Sequence, residues 1–446
     1  MTLRSRLRGA AIGAFLSADG ARHTLADLKR RVTGADRAIE FYFDIGDPAS
    51  YLAAQAAQRL FETYQVPIHF HLVSAPTSDV DPAPVLREQF ALRDAHETAR
   101  RFDLAFHGKK PAEPNILRKA AQVLMIARPD VEQLRLALEL AKSVWSSDPK
   151  EIVLLMGKHG NEQSGSVAPF LATAYGKLRN AGHYLPGSFH YGGDWYVGID
   201  RLSYLEARLQ ADTGIKPPHP VLQRRTDYVA DKIALPPGPP VVDFWFSFRS
   251  PYSYLALAQL KAAAADVGFE IRLRPVLPMV TRGLPMPRVK QLYLARDAKR
   301  EADRLGVAFG NLADPLGKGV DHAMAITYRL LGRDPKLAMA FVESAARGVW
   351  SEALDLASYL DLRTIVERAG LDWNEAREAL ADETWRVTAT DAANELNAAG
   401  LWGVPSFRVG DYATWGQDRI AYFADRLRAA LTDRQAQADR EPPPPA

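Results

Sequence analysis

Along the chain, short runs dense in apolar and aromatic residues are separated by longer stretches whose apolar positions recur every three or four residues. Ile39-Glu40-Phe41-Tyr42-Phe43-Asp44 has the length and content of a strand, and the segment that follows it, Pro48 and then Ser50-Tyr51-Leu52-Ala53, opens a helical pattern. The same series returns as Val242-Asp243-Phe244-Trp245-Phe246-Ser247 followed by Pro251 and Ser253-Tyr254-Leu255-Ala256, which places Tyr254 203 positions after Tyr51. The spacing holds through Ile68 and Ile271, each in an alternating run, and through Arg93-Asp94 and Arg296-Asp297, each in a helical run. It then lengthens between elements, at Val144-Trp145 against Val349-Trp350 and at Leu185-Pro186 against Val404-Pro405, as insertions in loops allow. Near the end of each copy, Gly198-Ile199-Asp200-Arg201 matches Gly416-Gln417-Asp418-Arg419. A register kept over so many elements predicts two homologous modules in tandem.

Each module reads as strand, helix, strand, a long helical region, a short strand, a hairpin and a closing helix. Strand-helix-strand implies a parallel pair joined by a crossover. The predicted fold class is therefore α/β, with two tandem thioredoxin-like modules each carrying a helical insertion. In the second module that insertion runs roughly from Met286 to Ala398, with periodic stretches such as Thr364-Ile365-Val366-Glu367-Arg368-Ala369. The expected organisation is a basic helical leader over 1–37, a first module over 38–211, a Pro-rich linker over 212–240, a second module over 241–432 and a disordered tail over 433–446. Pro217-Pro218-His219-Pro220 and Pro236-Pro237-Gly238-Pro239-Pro240 mark the linker as a stiff spacer.

Composition narrows the chemistry. Fifty-six Lys and Arg against 53 Asp and Glu leave a net charge of +3, spread along the chain, which argues against nucleic acid as a partner. There is no cysteine, so disulfides, zinc-thiolate sites, a Cys nucleophile and a Cys-x-x-Cys pair are excluded, and any thiol chemistry needs a borrowed thiol. No apolar run has the length to span a bilayer, and the basic start Met1 to Arg8 reads as a leader helix rather than a signal peptide. A cytoplasmic protein without membrane partners is expected. The ten histidines show no metal-ligand spacing, and no Walker, G-x-G-x-x-G or G-x-S-x-G element occurs, so metals and nucleotides are not expected.

The second module resembles the 2-hydroxychromene-2-carboxylate isomerases and kappa-class glutathione transferases, which share a DsbA-like thioredoxin fold. The resemblance is carried by Phe244 through Ala256, including Ser250-Pro251-Tyr252-Ser253-Tyr254, by Arg274-Pro275-Val276-Leu277, Lys290-Gln291-Leu292-Tyr293 and Gly403-Val404-Pro405-Ser406-Phe407, and by Trp415-Gly416-Gln417-Asp418-Arg419. The first module follows the same outline more weakly. The resemblance implies glutathione as cofactor, a small electrophilic, aromatic substrate, and Ser250 as the catalytic residue that holds the glutathione thiolate.

The physics of Ser250 supports such a role. It sits between a strand and a helix, with Pro251 at a first-turn position that needs no N–H. Helix N-termini favour anions. A thiol starts near pKa ~8.5, and lowering it by about two units takes roughly 2.7 kcal/mol, within reach of a hydroxyl hydrogen bond at ~1.5–3 kcal/mol plus the helix terminus. Equally, Ser before Pro at a helix start is an ordinary N-cap. Val404-Pro405 is a candidate cis bond whose backbone would pair with the glutathione peptide, and a trans proline on an edge strand is the alternative. The resemblance sets Gln417 and Asp418 against the γ-glutamyl end and Lys290 near the glycyl carboxylate. The alternatives are that Asp418 caps its helix and pairs with Arg419, and that Lys290 lies on a solvated face. The family carries an asparagine shortly before that lysine, whereas this chain reads Arg282-Gly283-Leu284-Pro285. Trp145 and Trp350 are expected in the cores.

The first module differs where it matters. Gly46-Asp47-Pro48 puts Asp47 at the position of Ser250, and a carboxylate would repel a thiolate. Arg87, Phe90 and Ile199 replace Lys290, Tyr293 and Gln417. The first module is thus read as structural, standing in for a partner subunit so that one chain forms an internal pseudo-dimer and works as a monomer. Two functions fit the sequence: a glutathione-dependent isomerase or transferase, or a non-catalytic binding or scaffold protein descended from one. A dithiol oxidoreductase does not fit.

Overall fold

The computed structural model describes residues 3–225 and 227–438. Its chain divides into two compact units. The first gathers 19–228 and 287–293, and the second gathers the chain up to 18, 229–286 and 294 onward. In chain order the helices and strands are α1 (Leu3–Leu16), α2 (Asp19–Thr33), β1 (Ile39–Phe43), α3 (Pro48–Tyr64), β2 (Ile68–Leu72), α4 (Pro84–Arg101), α5 (Pro114–Leu124), α6 (Asp130–Trp145), α7 (Pro149–His159), α8 (Val167–Asn180), β3 (Ser188–Tyr191), β4 (Asp194–Val197), α9 (Leu202–Thr213), β5 (Val241–Phe246), α10 (Pro251–Val267), β6 (Glu270–Pro275), α11 (Arg288–Leu305), α12 (Lys318–Leu331), α13 (Pro335–Ser351), α14 (Tyr359–Arg368), α15 (Trp373–Ala379), α16 (Trp385–Ala398), β7 (Ser406–Val409), β8 (Tyr412–Trp415) and α17 (Ile420–Ala438).

Each unit holds one four-stranded sheet, in the order β2-β1-β3-β4 and β6-β5-β7-β8. The first pair of each is parallel, Phe41 facing Phe70 and Phe244 facing Leu273, and the remaining pairs are antiparallel. The two sheets correspond strand for strand, as a tandem duplication of a thioredoxin-like module requires. Both central strands lie in the core, which explains why their apolar runs are nearly continuous rather than alternating. Phe41 stacks on Phe189 at 4.8 Å between ring centroids, and Phe244 on Phe407 at 5.4 Å. Trp145 and Trp350 are buried in their respective cores.

The helix after the first strand ends alike in both copies, in the left-handed region: Gly268 takes φ 84° and the aligned Gln65 takes φ 53°. The conformation is inherent to this helix end, and only the second copy gives it the residue that adopts it without penalty.

The Pro-rich stretch is not a free spacer. Its first half packs within the first unit, where Val221 N–H donates to Glu206 at 2.9 Å and Tyr228 lies under the Arg101 guanidinium at 4.2 Å. Its second half packs within the second unit, where Arg426 meets Asp231 at 3.1 Å and Arg434 donates to the Pro236 carbonyl at 2.7 Å. At the far end α17 continues to Ala438, so residues 433–438, read above as tail, are helical, and 439–446 lie outside the described residues, as do 1–2. Among the described residues no helix is long and apolar enough to cross a membrane.

Candidate active site

β5 delivers the chain to a tight turn in which Ser250 N–H donates to the Ser247 carbonyl at 3.0 Å. Ser250 then takes extended backbone angles, φ −105° and ψ 113°, and caps α10, with Pro251 in the first helical turn. Its Oγ accepts from Ser253 N–H at 3.1 Å, the contact that makes Ser a strong N-cap. Across from it, Ser250 Oγ lies 3.5 Å from the Val404 carbonyl. The Val404–Pro405 peptide is cis, and Pro405 O accepts from Gly416 N–H at 2.9 Å, which ties the loop to the end of β8. Ser250 and Val404 are both half-buried. Behind Ser250, the hydroxyl of buried Ser247 has no partner among the described residues.

Glycine at 403 is required by close approach. A Cβ there would stand 2.7 Å from Trp415 Nε1, and the Trp402 and Trp415 ring centroids lie 4.9 Å from each other. Arg282 reaches the same loop, with one guanidinium nitrogen 3.3 Å from the Trp402 carbonyl.

The other predicted residues are placed differently. Gln417 is buried, and its amide is spent internally: the oxygen accepts from Gln259 at 2.6 Å, and the nitrogen donates to Glu301 at 3.0 Å and to Asp418 at 2.7 Å. Asp418 is half-buried beside it. Lys290 belongs to the first unit rather than to the unit of Ser250, and its ammonium donates to the Val80 carbonyl at 2.8 Å. Within the second unit the structure brings together Ser250, Val404 and Pro405 and sets buried Gln417 against half-buried Asp418. Arg282 carried a weak signal in the sequence, a departure from the family pattern whose position could not be read from the run itself.

At the corresponding place in the first unit, Asp47 caps α3 and accepts from both Ser50 N–H, at 2.9 Å, and Ser50 Oγ, at 2.8 Å. Asp44, buried nearby, has its carboxyl pushed up to about 7 by burial and by the Asp47 charge. Arg87 pairs with Asp81 at 2.6 Å. This end of α3 is filled by acidic groups engaged with their own unit, which is the opposite of an anion site.

A thioredoxin-like module whose first helix begins at a serine facing a cis-proline loop defines the class, and residues 241–428 match the DSBA-like thioredoxin domain. The chain belongs to the family of the 2-hydroxychromene-2-carboxylate isomerases. It is 31% identical to that enzyme of Pseudomonas putida over 194 residues, which make up 40% of this chain and 90% of the relative. To that of Sphingobium xenophagum it is 24% identical over 198 residues, covering 42% of this chain and 97% of the relative. A solved 2-hydroxychromene-2-carboxylate isomerase is 24% identical over 44% of this chain and 98% of its own, with a TM-score of 0.39.

Proposed function

We propose that the second module is a glutathione-dependent isomerase or transferase acting on a small electrophilic, aromatic substrate, with Ser250 as its catalytic residue. The observation that carries this reading is the Ser250 hydroxyl at the start of α10. Its oxygen is fixed by the Ser253 N–H, while its own proton has only a long, 3.5 Å contact with the Val404 carbonyl. That proton is free to turn to a sulfur anion, and the first turn of α10 adds its dipole to the same point. The Val404 backbone beside Pro405 offers the peptide groups that would align a γ-glutamyl tripeptide. Bound there, glutathione would supply a sulfur nucleophile that adds reversibly to the electrophile. The relatives' name, 2-hydroxychromene-2-carboxylate isomerase, supports an aromatic carboxylate as the substrate class. The fit extends to the thiol end and the middle of the tripeptide. Gln417 is committed to Gln259 and Glu301. The first module, with Asp47 in place of serine, is proposed as structural.

The test is a glutathione titration followed by thiolate ultraviolet absorbance. Wild type should bind one glutathione per chain with a depressed thiol pKa. Ser250→Ala should lose the thiolate signal, the sulfur pKa rising by about one to two units as a hydrogen bond to a charged group is removed. Asp47→Ala should change nothing. Absence of glutathione binding in wild type would leave the scaffold reading.

A further inference from the structure

Arg282 ends the short helical turn Met279–Arg282 that follows β6; the residue is half-buried, and its Nε is closed off from solvent. A guanidinium in such a place normally faces a carboxylate, because a buried cation without an anion is costly. Other arginines of the same unit obey this: Arg274 and Arg408 meet Asp243 at 3.0 and 2.8 Å, Arg249 meets Asp314 at 2.7 Å, and Arg426 meets Asp231 at 3.1 Å. Arg282 does not. Its guanidinium donates to the Trp402 carbonyl at 3.3 Å, and its Nε is buried with no partner among the described residues. Burial pushes its pKa down, and no acid among the described residues acts against that pressure. The arginine nonetheless keeps its proton, so the cost of its burial stands until an anion arrives.

Its position says where the anion would come from. The Trp402 carbonyl and the Val404 carbonyl, 3.5 Å from Ser250 Oγ, belong to one loop and lie two residues apart, at most about 7 Å along the chain. From the central cysteinyl sulfur of glutathione to its glycyl carboxylate is about two residues of chain, roughly 7 Å, which is comparable with this interval. Trp415, half-buried, adds an aromatic face beside the same loop.

We propose that Arg282 is the carboxylate-binding residue of the Ser250 site, receiving a ligand carboxylate through its unpartnered Nε and an adjoining Nη. This rests on the reading of Ser250 as a ligand site. The carboxylate has two sources, the glycyl end of glutathione or an acidic aromatic substrate, and both present the same planar pair of oxygens to a guanidinium.

The full-length chain is titrated with two matched pairs: glutathione and its glycyl monoethyl ester by calorimetry, and cinnamate and cinnamide by tryptophan fluorescence. Wild type should prefer the acid over its neutral partner by about tenfold in at least one pair, as a charge-assisted hydrogen bond implies. Arg282→Gln should abolish that preference while binding the neutral partner as wild type does, and Arg282→Lys should retain part of it. Loss confined to the glutathione pair identifies the glycyl carboxylate, and loss confined to the cinnamate pair identifies the substrate. A wild type that distinguishes neither pair, or an Arg282→Gln chain that keeps the full preference, overturns the inference. Failure of glutathione to bind at all defeats the proposed function and leaves the cinnamate pair to decide Arg282.

Discussion

At the scale of single residues the two modules part at the cap of their first helix. Ser250 presents a neutral hydroxyl with an available proton, and Asp47 presents a carboxylate that already accepts two hydrogen bonds from Ser50. The Asp47 charge also acts on its neighbour, because Asp44 has its pKa raised to about 7 by burial and then by Asp47. The folded chain therefore holds a proton on Asp44 between about pH 4 and about 7 that the unfolded chain has released, so this unit loses stability as pH rises through that window and is flat above it. Asp44→Asn keeps an oxygen for the Gly46 N–H, which Asp44 accepts at 2.9 Å, and carries no charge. It should raise the melting temperature at about pH 8, by up to a few kcal/mol of stability, and leave it unchanged near pH 4. Equal melting of variant and wild type at pH 8 would refute this account. The cap contrast was legible in the sequence because it lies inside an aligned, local motif. The fate of Gln417 was not, since its partner Glu301 arrives from α11, in the helical insertion, and no local pattern encodes where that helix lands.

At the scale of elements, the duplicated sheets preserve one charge ladder with different chemistry. Asp243 on β5, buried, gathers Arg272 at 2.6 Å and Arg274 at 3.0 Å from β6 and Arg408 at 2.8 Å from β7. Burial works against its charge, but the hydrogen bonds from Arg272 and Arg408 win and hold its carboxyl below the usual range. The aligned Glu40 on β1 gathers His69 at 2.9 Å and His71 at 2.5 Å from β2 and lies opposite His190 of β3. Each position that carries arginine in one sheet carries histidine in the other. These residues are scattered in the sequence, and only the strand register puts them on one face. The consequence is an asymmetry in what each acid is worth. Asp243→Asn leaves three permanent cations around one site and should cost about 1–3 kcal/mol, discounted because the guanidiniums are partly hydrated. Glu40→Gln breaks part-exposed contacts to imidazoles rather than to guanidiniums, and should cost less than about 1 kcal/mol. Denaturant midpoints of the two variants at pH 7.5 compare them directly, and equal losses would remove the distinction.

At the scale of the whole molecule, the repeat and the compact units do not coincide. The repeat assigns residues before 38 to a leader, yet α1 packs as part of the second unit: its Gly13 lies against the Gly310 carbonyl, and Phe15 lies under the Arg296 guanidinium at 4.8 Å. No periodicity in α1 itself could reveal this, because a short basic helix gives no sign of which core it will cover. The contact is tight enough to test. A Cβ at Gly9 would stand 2.6 Å from the Cβ of Ala353, a residue whose own backbone sits at φ 55° and has little room to move. Overpacking of this kind costs about 1–3 kcal/mol. Gly9→Leu should therefore destabilise the unit that contains Ser250, although position 9 is more than two hundred residues away in sequence. Hydrogen exchange read by mass spectrometry separates the units. Peptides from α10 and β7 should exchange faster in the variant, while those from α3 and β3 should match wild type. If protection falls instead in α3 and β3, α1 serves the first unit and the assignment is wrong. If it falls nowhere, the helix end yields without cost and α1 is dispensable to the core it touches.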